Sequence, residues 1–76
     1  MSEFKLGTIL KEMYDNAPSG EKVMHIHLFG IKYANEITIN GLNIKEIVKA
    51  STLQESYHTE VNKGIKLSKY VMLKSP

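Results

Sequence analysis

The sequence predicts an all-α fold, a compact bundle of four helices filling a single domain over residues 1–76. Three observations carry that prediction. Apolar residues recur three and four apart through the long segments, the spacing that gathers them on one side of a helix. Turn-forming clusters at Ala17-Pro18-Ser19-Gly20, Asn40-Gly41 and Ser51-Thr52-Leu53-Gln54 separate those segments. In the middle of the chain only Ile37-Thr38-Ile39-Asn40-Gly41-Leu42 is β-like, and its arms are too short for a hairpin.

The first helix is predicted from Ser2, a natural N-cap, to Asn16, with Phe4, Leu6, Ile9, Leu10, Met13 and Tyr14 on its apolar side. Pro18 and Gly20 stop it. Ser19 can cap a second helix over residues 20–36, where Val23, Ile26, Gly30, Tyr33, Ala34 and Ile37 recur at helical spacing and Gly30 invites close approach of another helix. Met24, Ile26 and Leu28 also alternate with their neighbours, so a strand competes there. The helix is preferred because Ala34, Asn35 and Glu36 continue poorly as strand. A loop at 38–43 follows. Asn43, three residues before Glu46, caps a short helix at 44–51. Thr52 and Glu55 form a capping box that opens the last helix, at about 54–70. Val71-Met72-Leu73 is then either a short C-terminal strand or an apolar tail.

Composition narrows the function classes. The chain has no cysteine, which removes disulfide scaffolds and thiol chemistry and makes the cytoplasm the default compartment. No apolar run approaches the roughly 18 residues of a membrane span, and acids near the start argue against a secretory signal. A walled substrate pocket would hollow out so small a core, so binding is favoured over catalysis. Residues 1–40 hold four lysines against five acids, a balance of −1, whereas residues 41–76 hold six lysines against three acids, a balance of +3. All ten basic residues are lysine, so the arginine fork that grips guanine or phosphate at two points is missing.

That basic half contains the most suggestive pattern. A short helix, a tight turn and a longer helix between Asn43 and Tyr70 outline a helix-turn-helix. Ile47 and Val48 fit the buried pair of its first helix, Leu53 the apolar residue after the turn, and Val61 the inward anchor of the second helix. Thr52 stands where glycine is usual, and His58 where a β-branched apolar residue is usual. About 100° per residue puts Tyr57, Val61, Gly64, Ile65, Ser68 and Val71 on the inner side. The outer side collects Ser56, Thr59, Asn62, Lys63, Lys66, Lys69 and Tyr70 and no acid. In a duplex-DNA reader, Ser56, Thr59 and Asn62 would face base edges while Lys63, Lys66 and Lys69 neutralised phosphates. A solvated lysine stripe on a structural helix is the plainer alternative.

The runs LKEMYDNAPSGEKV, HLFGIKYANEI and ESYHTEVNKGIKLSKYV, which together span most of the chain, resemble a family of small bacterial helix-turn-helix-like domains. The resemblance implies a compact helical fold and a nucleic-acid-binding role. It names no catalytic residue.

Other constellations are weaker. His25 and His27 point about 200° apart on a helix, and with no cysteine and His58 distant they form no expected metal site. No cofactor and no nucleophile motif is expected. The competing reading is a protein-interaction module or homodimer that uses the apolar end Val71-Met72-Leu73.

Overall fold

In the computed structural model, which describes residues 1–74, the chain forms four helices and no strand among those residues. They are α1 (Glu3–Asn16), α2 (Lys22–Ile39), α3 (Ile44–Ser51) and α4 (His58–Leu67), with a 3₁₀ turn at Glu55–Tyr57 leading into α4. Helix starts leave backbone N–H groups unpaired unless a side chain accepts from them. Ser2 accepts from the Lys5 N–H and Asn43 from the Glu46 N–H, both at 3.1 Å. Ser19 makes no such cap on α2, whose N-cap is Glu21 without a side-chain bond. The α1–α2 turn is held instead by Lys22, whose ammonium donates to the carbonyls of Tyr14 at 2.9 Å and Ala17 at 3.3 Å.

The segment at 22–39 is one helix, and the strand reading of Met24–Phe29 is set aside. The β-like Ile37-Thr38-Ile39 also belongs to it, three residues past the expected end. Burial explains the extension: Ile37 follows Gly30 and Ala34 at steps of seven and three on the inward face and is 3% exposed, so packing outweighs its β-propensity.

Thr52 does not open the last helix. It closes α3 in the left-handed conformation, φ 63°, and its hydroxyl lies on the Ser51 carbonyl. The capping box is therefore replaced by the 3₁₀ turn, whose Tyr57 N–H bonds to the Gln54 carbonyl at 3.0 Å. At the other end α4 stops at Leu67 rather than 70, and Val71-Met72-Leu73 is irregular rather than a strand. Among the described residues it has no strand to pair with, and it shares a hollow with Ile31, Lys32, Ala34 and Asn35 of α2.

Leu6, Leu10, Ile26, Phe29, Ile37, Ile47, Val48 and Val61 form the core, each at most 3% exposed. Around it α1 packs on α3 and α2 packs on α4, and both crossings depend on glycine. A Cβ on Gly7 would lie 2.6 Å from the Ala50 Cβ. A Cβ on Gly30 would lie 2.5 Å from the Val61 carbonyl oxygen and 2.8 Å from the Gly64 Cα, while one on Gly64 would strike the His27 carbonyl. At the α2–α4 crossing backbone thus rests on backbone, with no side chain between, while at α1–α3 the Ala50 methyl faces Gly7.

Gly64→Ala is expected to lower unfolding stability by about 2 kcal/mol or more, the overpacking cost exceeding the ~1 kcal/mol that helix propensity alone would return. Gly41→Ala, at φ 60° but in open space, should cost no more than about 1–2 kcal/mol from backbone strain. Thr52→Gly should raise stability, by about 0.5–1 kcal/mol, by relieving the left-handed threonine. Urea titrations of the three variants decide these signs.

Candidate nucleic-acid interface

The α3–turn–α4 unit is anchored by the residues that the helix-turn-helix pattern requires. Ile47, Val48 and Val61 are fully buried and Leu53 is half-buried against them. The departure at Thr52 is accommodated by conformation, since the threonine adopts the left-handed geometry that glycine ordinarily supplies. The departure at His58 is accommodated by hydrogen bonding: its Nδ1 lies 3.0 Å from the Glu55 carbonyl oxygen, which accepts the proton in the Nδ1–H tautomer.

Thr59, Asn62, Lys63 and Lys66 share the exposed face of α4, linked by steps of three and four. The other three expected residues fall off its ends. Ser56 sits in the 3₁₀ turn, where its hydroxyl accepts from Gln54 at 2.6 Å. Lys69 and Tyr70 follow the helix in a turn, and Tyr70 is 83% exposed. Within the face the side chains differ in availability. Thr59 donates to the Ser56 carbonyl at 3.0 Å, whereas the Asn62 amide makes no side-chain hydrogen bond among the described residues. Asn62 instead borders a hollow with Leu42, Asn43, Ile44, Lys45 and His58.

Spacing along α4 places Glu60 on the flank of this face, and the structure shows what it holds. Glu60 is 21% exposed and reaches two ways, with Oε1 2.7 Å from His27 Nε2 on α2 and Oε2 accepting from Lys63 at 3.3 Å. The His27 bond is the main cause that holds the Glu60 carboxyl below its ordinary value; burial opposes it, and the Lys63 bond and charge add lesser support. Lys63 is thus tied to an acid, while Lys66 and Lys69 make no ion pair among the described residues.

Two neighbours extend the surface. Lys45 and Lys49, one helical repeat apart on α3, line a hollow of about 360 Å³ with Glu46, Glu55, Ser56 and His58. Their i,i+4 spacing was readable in the sequence, but their placement beside Ser56 required the turn geometry. The His27–Glu60 bond had no such signal, because it joins residues 33 apart. His25 is also engaged locally, 3.8 Å from Glu21.

A carboxyl group whose folded value is depressed stabilises the fold when ionised, and that contribution disappears as pH falls through the folded value. Glu60→Gln is therefore expected to be less stable than the native chain at pH 7, with the difference shrinking as pH drops from about 4.5. Denaturant titrations at several pH values would show the convergence; a gap independent of pH would remove the role given to the ionised carboxylate.

Comparison with curated proteins and with solved structures finds no match. The family model described as HTH-like domain matches residues 2–74, from the Ser2 cap of α1 to the residues after α4. With the left-handed turn, its buried anchors and four helices in place, the chain belongs to the HTH-like domain family.

Proposed function

We propose that this chain is a non-catalytic, cytoplasmic DNA-binding protein, regulatory in role, that presents α4 to the major groove of duplex DNA. The observation that carries the reading is the exposed face of α4, held on the α3 turn and bordered by lysines on both sides. Ten residues at 1.5 Å each make α4 about 15 Å long, shorter than the sequence suggested yet enough to cross a groove about 12 Å wide.

Within that placement the roles divide by chemistry. Asn62, with its amide free, is the best base reader, since a carboxamide can pair with adenine at two points. Thr59 and Ser56 approach base edges or phosphates near the start of the helix. Lys66 and Lys69 contact phosphates, Lys63 does so in competition with Glu60, and Tyr70 packs beside them. Lys45 and Lys49 add backbone contacts from α3. Without arginine, base discrimination by one copy is modest, and a homodimer covering two half-sites would sharpen it.

A fluorescence titration with pooled duplexes at low salt tests the proposal, and absence of binding would defeat it. Phosphate contacts by Lys63, Lys66 and Lys69 contribute about −2.7 to the log–log salt slope, any contacts by Lys45 and Lys49 steepening it further, and replacing Lys66 and Lys69 by alanine should flatten it by about 1.8. Changing all three lysines to glutamate should abolish binding while leaving the helical circular-dichroism spectrum intact.

A further inference from the structure

Where α2 passes α4, the surface opens into a hollow of about 340 Å³ lined by His27, Lys63, Lys66, Leu67 and Tyr70. Its wall is almost entirely hydrocarbon: lysine stems, the Leu67 side chain and ring carbons. Of its lining residues, His27 and Lys63 have a polar atom on Glu60, through Nε2 and Nζ respectively. Leu67 is 42% exposed and Tyr70 83%, so the hollow stands open to solvent. Residues 71–73 do not fill it, because they continue along α2 toward Ile31 and Asn35.

The rim is cationic. Lys63 and Lys66 line the hollow, and Lys69, outside the lining, lies three residues further along the chain; Lys66 and Lys69 have no carboxylate partner among the described residues. An apolar floor inside a lysine rim is complementary to an apolar side chain flanked by carboxylates. We infer that this hollow docks an acidic protein segment, which inserts one large apolar side chain beside Leu67 and Tyr70 and sets its carboxylates on Lys66 and Lys69. A second copy docking the same patch face to face would set lysine against lysine. A nucleic-acid base would lose water from its polar edges to a floor that is almost entirely hydrocarbon, with hydrogen-bonding groups only at its rim. A hydrocarbon side chain loses nothing by the transfer and removes apolar surface from water.

Lys66 and Tyr70 also belong to the proposed duplex contact, so a docked segment excludes the duplex; this consequence alone rests on the DNA reading. An acidic partner would thereby control the protein by displacing DNA.

The chain has no tryptophan, so a short peptide of glutamate and serine with one central tryptophan carries the only indole in a titration with the intact protein. Saturable binding with a blue-shifted emission is expected. A competing peptide with serine in place of tryptophan should bind about tenfold more weakly, the effect of removing one buried large side chain. Leu67→Ser should weaken the tryptophan peptide by a similar factor with unchanged circular dichroism, and Lys66→Glu should weaken it further. Equal binding by the serine peptide, or by Leu67→Ser, overturns the inference. So does native self-association that Leu67→Ser abolishes, which assigns the hollow to a second copy. Binding of oligothymidylate that Leu67→Ser weakens as strongly as peptide binding assigns it to a base, and likewise overturns it. No duplex enters this titration, so its outcome is independent of the duplex experiment. If both ligands bind, added duplex should release the peptide, and simultaneous binding overturns the exclusion.

Discussion

The contact of Gly30 with Gly64 is the constraint on which the rest of the molecule depends. Two helices this close cannot tolerate a Cβ at either position, because carbonyl oxygens and Cα atoms already occupy the space. The approach brings Val61 into the core beside Ile26 and Phe29, and it brings Glu60 within reach of His27. Gly7 plays the corresponding part between α1 and α3. The exposed face of α4 is consequently positioned by α2 beneath it as much as by the helix-turn-helix unit to which it belongs.

Much of this was legible in the sequence, and the exceptions have physical causes. The helical spacing of Leu6, Leu10, Ile26, Ile47, Val48 and Val61 identified the core residues, because those positions answer to one period. The caps at Ser2 and Asn43 were equally plain, since both act on a backbone amide three residues away. Local reasoning failed where a distant contact decided the conformation. Ile37 looked like strand by propensity and is helical by burial. Thr52 looked like a cap and is a left-handed terminus, because the buried Ser51 already serves the turn. The α4 face was read correctly from Thr59 to Lys66, but Ser56, Lys69 and Tyr70 were drawn onto a helix that ends before reaching them.

Charge along the chain was legible as far as Glu60 flanking the basic face; its partners were not. The outer side of α4 carries no acid of its own, yet Glu60 projects from its flank and binds Lys63. The same carboxylate joins α4 to α2 through His27, so a charge that opposes a polyanion also helps hold the helix presented to one. Lys66 and Lys69 lie beyond its reach, and Lys45 and Lys49 approach from α3. The basic surface is therefore split on either side of Glu60.

The turn between α3 and α4 has a consequence for how any duplex would be gripped. Ser51 is 1% exposed; its hydroxyl donates to the Val48 carbonyl and accepts from the Leu53 N–H at 3.1 Å, closing the turn from within. Flexing there breaks a buried hydrogen bond, and flexing at the α2–α4 crossing meets bare backbone. Both contacts therefore oppose movement of α4 relative to α3 and α2. Under the DNA reading, mismatch between protein and groove must then be absorbed by the nucleic acid, whose bending and twisting energies vary with base step. Sequence preference would extend to base pairs that no side chain touches.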